Sequence, residues 1–131
     1  MADGKQKFVK ILVVEDDEAS RAIIARFLDQ LGFSNVVLAE NGRAALNELN
    51  LNQIDLVISD WRMPDMDGLE LHWSAKNEGL LDNTPFLMVS AENEKGKVIE
   101  ALRAGVNDYI VKPVDSKTLK DKIEKLLSSQ E

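Results

Sequence analysis

Five short apolar runs, each followed by a segment of helical spacing, constrain this chain more than any other feature. They cover residues 9–14, 36–39, 56–59, 86–89 and 109–111. Each is too short for a helix, and consecutive Val, Ile and Leu suit strands covered on both faces. Between them, Ile24, Phe27, Leu28 and Leu31 form one helical stripe, closed by Gly32 where a left-handed helix end wants glycine. Leu119, Ile123, Leu126 and Leu127 repeat that spacing, with Asp115 or Ser116 as the N-cap. Weaker helical stretches cover 42–51, 68–80 and 95–104, the last ended by Gly105. A β-α order repeated five times predicts an α/β fold, its parallel strands joined by right-handed crossovers with helices on both faces.

Composition narrows the function. A chain of 131 residues suits one domain, and it can bury enough surface to fold without a staple. The last helical stripe runs almost to Glu131, so a single domain over 1–131 with no output module is expected. The absence of cysteine excludes disulfides, thiolate nucleophiles and Cys-ligated metals. Sixteen basic against 23 acidic residues leave a net charge of −7, which argues against nucleic acid as a partner. No apolar stretch approaches spanning length and no apolar h-region follows the start, so a cytoplasmic chain without membrane insertion is expected.

In an open parallel sheet the site lies outside the carboxyl ends of the strands, so the residues there matter most. The first run ends in Glu15-Asp16-Asp17, the third in Asp60, the fourth in Ser90 and the fifth in Lys112-Pro113. Carboxylates gathered at one edge repel unless they protonate or share a cation. Oxygen ligands with open positions suit Mg²⁺ together with a phosphate. Lys112 adds a point charge for a phosphoryl oxygen and Ser90 a hydroxyl donor. These are the parts for phosphoryl transfer onto a carboxylate nucleophile, giving an aspartyl phosphate.

Four dispersed segments carry a family resemblance: 12–16 (LVVED, with Arg21 after it), 57–70 (VISDWRMPDMDGLE), 87–92 (LMVSAE) and 105–113 (GVNDYIVKP). The chain resembles the receiver domain of two-component response regulators, and is most similar to the single-domain chemotaxis regulators among them. The resemblance covers 8–127 and implies a flavodoxin-like (βα)5 sheet in the order 2-1-3-4-5. It implies Asp60 as phosphoacceptor, fed by a histidine kinase. Mg²⁺, with Mn²⁺ as a substitute, would be held by Asp16, Asp60 and the backbone carbonyl of Arg62, with Glu15 acting mostly through water. Lys112 would pair with the phosphoryl group, the Lys112-Pro113 bond would be cis, and Ser90 would turn towards the phosphate. Tyr109 would then move inward and remodel the face of the fourth helix, fifth strand and fifth helix. On that face Lys95, Val98, Leu102, Tyr109 and Lys122 are the expected contacts for a downstream protein, such as a flagellar motor switch. A phosphatase is a further expected partner, the protein is expected to be a monomer, and it is not expected to turn over an external substrate.

Some residues depart from the pattern of the chemotaxis regulators in that family. Glu15 stands where they carry Asp, Ser90 where Thr is common, and Arg62 where they carry Asn, while Glu92 matches. Arg62 is expected to pair with Glu92 across the mouth and crowd out the water that would hydrolyse the acyl phosphate. Leu102 replaces a small residue and Val114 an aromatic, giving a bulkier output groove. Outside the motifs, Asp17 reads as an N-cap, His72 as a surface residue, and Trp61 and Trp73 as packing or partial cover. One alternative role and two rival classes start from the same residues. A stand-alone receiver could instead serve as phosphate sink or phosphorelay shuttle, and a haloacid-dehalogenase-type phosphatase also uses Asp, Mg²⁺, Ser/Thr and Lys. That phosphatase needs an acidic residue where Arg62 stands, and its nucleophile follows the first strand. A flavin mononucleotide binder would want hydroxyls, not Glu15-Asp16-Asp17, after the first strand.

Overall fold

The fold is seen in a computed structural model that describes residues 6–129. Residues 1–5, where the leader reading falls, and 130–131, the end of the 1–131 span, lie outside the described residues. Strands β1 (Lys10–Val14), β2 (Asn35–Ala39), β3 (Leu56–Ser59), β4 (Phe86–Ser90) and β5 (Asp108–Val111) alternate with five helices. These are α1 (Glu18–Gln30), α2 (Gly42–Leu51), α3 (Gly68–Asn77), α4 (Lys95–Arg103) and α5 (Ser116–Ser128). All strand pairs are parallel and the order is β2-β1-β3-β4-β5, the flavodoxin-like (βα)5 arrangement.

Alternate strand residues feed two cores. Ile11, Val13, Leu56, Ile58, Leu87 and Val89 pack with Ile24 and Leu28 of α1 and Leu119 and Ile123 of α5. Leu12, Val14, Val57, Phe86 and Met88 face the other way, onto Ala45 and Leu49 of α2, Leu71 and Ala75 of α3 and Ala101 of α4. The period-two alternation of a strand buried on both sides explains why the apolar runs are unbroken. Each fully buried aliphatic side chain is worth roughly 1.5–3 kcal/mol, so the sheet is the rigid part of the molecule.

Strand limits differ from the apolar runs by a residue or two, because backbone pairing recruits polar residues that hydropathy overlooks. Asn35 joins β2 opposite Lys10, Asp108 joins β5 opposite Leu87, and Ser90 closes β4 opposite Val111. The third helix stops at Asn77 instead of residue 80. Gly79 there has φ +75°, a conformation that costs other residues, and Leu80 N–H returns to the Ala75 carbonyl. Asp17 and Asp115 cap α1 and α5 as read, and Ser116 is the first residue of its helix, not the cap.

His72 is buried, not a surface residue, at 4% exposure. Its ring meets Phe86 edge to face at 5.1 Å, and it hydrogen-bonds the Gly105 backbone at the end of α4. Trp73, one residue on, is 68% exposed, whereas Trp61 is buried. A step of about 100° between successive residues of a weakly amphipathic helix decides which of two neighbouring aromatic rings goes in. Burial lowers the His72 pKa, Lys76 beside it adds to this, and the Gly105 bond opposes both. A base held below its ordinary 6.5 contributes stability above that pH that is lost as pH falls through its folded value. The His72→Leu variant should therefore lose less stability than wild type between about pH 7.5 and about pH 5, read by urea denaturation.

Candidate functional site

The sheet register brings the polar strand ends together. Val14 pairs with Ser59 and Ser90 with Val111, so Glu15, Asp60 and Lys112 emerge at one edge. The ladder continues one step beyond the strands and fixes all three backbones. Glu15 N–H donates to the Ala39 carbonyl at 3.0 Å, Asp60 N–H to Val14 at 3.0 Å and Lys112 N–H to Ser90 at 2.8 Å.

Lys112 Nζ lies 2.6 Å from Glu15 Oε1 and 3.3 Å from Asp60 Oδ2. Glu15 is buried, Asp60 half-buried and Asp16 exposed, and one carboxylate oxygen of each lies within 4.8 Å of the others. Burial is the main force raising the Glu15 pKa to about 7; Asp60 adds to it and the Lys112 and Asp17 hydrogen bonds resist it. Burial works against the Lys112 charge too, but the Glu15 and Asp60 carboxylates outweigh it and push its pKa up. With three carboxylates around one lysine, the edge is short of positive charge. An oxygen-only donor set with that deficit fits a hard divalent cation.

The loops around the cluster are pinned locally. Arg21 Nη1 donates to the Glu15 carbonyl at 2.7 Å, Asp17 N–H to Glu15 Oε2 at 3.2 Å, and the Asp17 side chain caps α1. After β3, Trp61 N–H donates to Asp60 Oδ1 at 2.7 Å, which fixes that carboxylate's rotation. Gly68 N–H reaches the Trp61 carbonyl at 2.7 Å, and a Cβ on Gly68 would lie 2.1 Å from the Asp60 carbonyl oxygen, so only glycine fits. Asp67 and Glu70 form a capping box that starts α3 immediately after this turn.

On the other side of the mouth, Ser90 Oγ is buried and accepts from Glu92 N–H at 3.2 Å. Tyr109 is turned inward at 7% exposure, and its hydroxyl donates to the Glu92 carbonyl at 2.7 Å. Burial raises its pKa, against a hydroxyl bond to Ser90. Arg62 Nη2 meets Glu92 Oε2 at 2.9 Å, and the Lys112–Pro113 bond is cis. Of the residues read as the output face, Lys95 and Leu102 are exposed and Val98 is half-buried. Lys122 is 2.9 Å from Asp108 of β5, and Tyr109 presents little surface.

Sequence reasoning found the charged residues but not Gly68 or Arg21 in their supporting roles. The Asp67-x-x-Glu70 spacing was the available signal for the turn; nothing in the sequence marks the Arg21 bond to a backbone oxygen.

Residues 11–124 match the family described as response regulator receiver domain. The chain belongs to that family. This receiver domain is 42% identical to the chemotaxis protein CheY of Pseudomonas aeruginosa, over 90% of this chain and 95% of that one. It is also 42% identical to chemotaxis protein CheY-3 of Vibrio cholerae, over 92% of both. Among solved structures, chemotaxis protein CheY4 of Vibrio cholerae superposes with a TM-score of 0.84 at 30% identity, covering 91% of this chain and 98% of that one. The receiver domain of Francisella response regulator 1452 gives 0.86 at 29% identity, covering 94% and 99%. No helix among the described residues is long and apolar enough to cross a membrane.

Proposed function

We propose that this receiver domain accepts a phosphoryl group on Asp60 from a phosphohistidine of a partner kinase. The observation that carries this reading is the convergence of three carboxylates and one lysine at the sheet edge, with Asp60 Oδ2 beside Lys112 Nζ. Asp60 Oδ2 attacks the phosphorus, the new O–P bond forms as the P–N bond breaks, and the imidazole leaves carrying the electron pair. Trp61 N–H holds Oδ1 and leaves Oδ2, beside Lys112, as the nucleophile. Lys112 exchanges its contact with Asp60 for a phosphoryl oxygen, and Ser90 supplies a hydroxyl donor. Glu15, Asp16, Asp60 and the Arg62 backbone carbonyl would hold Mg²⁺, or Mn²⁺ in its place. Bound there, the ion would offset charge on the transferring phosphoryl oxygens.

The signal leaves through the α4–β5–α5 face to a downstream protein. The names of two relatives support chemotaxis as the setting, and with that setting we take a flagellar motor switch as that protein and the cytoplasm as the location. The chemistry is a transfer onto the protein itself, reversed by hydrolysis that a separate phosphatase would speed, and not turnover of an external substrate. Incubation with a small acyl phosphate and Mg²⁺ should add the mass of one phosphoryl group, labile to alkali and missing in Asp60→Asn. No added mass, or full modification of Asp60→Asn, would contradict the assignment.

The Arg62–Glu92 pair spans the mouth and hinders water from reaching the acyl phosphate, lengthening its lifetime. Arg62→Asn should hydrolyse several-fold faster, followed by loss of the phosphoryl mass after the donor is removed; an equal or slower rate would sink this role.

A further inference from the structure

We propose that Met66, seated on Gly42 at the start of α2, is a positioning residue that sets where the Arg62 backbone carbonyl stands relative to Glu15 and Asp16. The inference rests on the proposed Mg²⁺ site and adds to it what aligns the two halves of the donor set. Those halves come from separate segments. Glu15 and Asp16 follow β1, whereas Asp60 and Arg62 begin the segment between β3 and α3. That segment is closed at its base by Gly68 N–H on the Trp61 carbonyl at 2.7 Å, and Met63 within it is buried in the core. Its tip is Pro64-Asp65-Met66, tightened by Met66 N–H on the Pro64 carbonyl at 2.8 Å, with Asp65 at φ +71°.

The tip rests on α2. A Cβ at Gly42 would lie 2.6 Å from Met66 Sδ, 2.9 Å from its Cγ and 3.0 Å from its Cβ. Gly42 is helical, so space and not backbone conformation calls for glycine here. The seat itself is firm. Gly42 is buried, Asn41 Oδ1 accepts from Ala44 N–H at 2.8 Å, and Ala45 and Leu49 of the same helix lie in the core. The seat is also tied to the other half of the site, because the carbonyl of Ala39, at the end of β2, accepts the Glu15 N–H at 3.0 Å. Contacts therefore run from Glu15 through Ala39 and Gly42 to Met66, and back along the tip to Arg62. Beside the seat a cavity of about 320 Å³, walled by Arg43, Pro64 and Asp65, leaves the tip room to shift. A methyl group at position 42 would push the tip that way, and the Arg62 carbonyl with it.

Calorimetric Mg²⁺ titration, with urea denaturation of each protein alongside, tests the role. Gly42→Ala should bind Mg²⁺ about tenfold more weakly than wild type, and Met66→Ala, which removes the seated side chain, should also bind more weakly. In the double variant two small side chains meet where a glycine and a methionine met, and affinity should return to within about twofold of wild type. Should Gly42→Ala fail to fold, tighter binding by the double variant than by Met66→Ala carries the same expectation. Unchanged affinity in either single variant would overturn the role, even with a lowered urea midpoint, since packing alone would then explain the contact. A double variant that binds no more tightly than the single variants would overturn it too. Variants that all bind like wild type leave the metal assignment standing and remove only Met66 from it, whereas no Mg²⁺ binding by wild type removes both.

Discussion

The contact of Lys112 with Glu15 and Asp60 is the interaction on which the rest of the structure depends. Charges a few ångströms apart near a protein surface interact by about 4 kcal/mol, so carboxylates forced together are costly without a cation. The lysine offsets part of that cost and no more, since three carboxylates face one ammonium group. An edge that remains short of positive charge is built to receive it. That deficit makes the cluster a candidate for cation and phosphoryl chemistry instead of a closed structural salt bridge.

Holding such an edge together requires a rigid support. The sheet supplies it through two apolar cores and through backbone bonds that run past the strand ends to Glu15, Asp60 and Lys112. Residues 97 and 52 positions apart in sequence meet because the parallel register leaves them no alternative. The opposite wall of the mouth is of another kind. It consists of the loop after β4, side-chain contacts of Arg62, and Tyr109 on β5, all replaceable contacts on a fixed base. Chemistry on the rigid side and movement on the softer side is the arrangement a switch needs.

Much of this was legible in the sequence, for stated reasons. Double-sided burial leaves unbroken Val/Ile/Leu runs, so the strands and their parallel direction could be read, the order of the strands came with the family resemblance, and strand ends led directly to Glu15, Asp16, Asp60, Ser90 and Lys112. The pairing of Arg62 with Glu92 was also expected, from residues thirty positions apart, and the structure has it at 2.9 Å. What escaped depends on close approach in three dimensions. Hydropathy does not distinguish His72, which goes in, from Trp73, which stays out on the same short helix. The need for glycine at 68 arises from the Asp60 carbonyl eight residues earlier in the chain, and no periodicity encodes it. The Trp61–Tyr109 contact joins the loop after β3 to β5 through residues that each read as ordinary packing.

The central claim is that Asp16, Glu15 and Asp60 form a cation-binding phosphoryl site, and metal titration tests it most directly. Trp61, buried beside Asp60, provides an intrinsic fluorescence signal for the titration, with calorimetry as a check in each variant. Asp16 is exposed and does not contact Lys112, so Asp16→Ala removes a ligand without breaking the ion pairs that organise the edge. The expected result is saturable Mg²⁺ binding by wild type and at least about tenfold weaker binding by Asp16→Ala. Equal Mg²⁺ affinity in the two proteins, or no binding by wild type, would contradict the account.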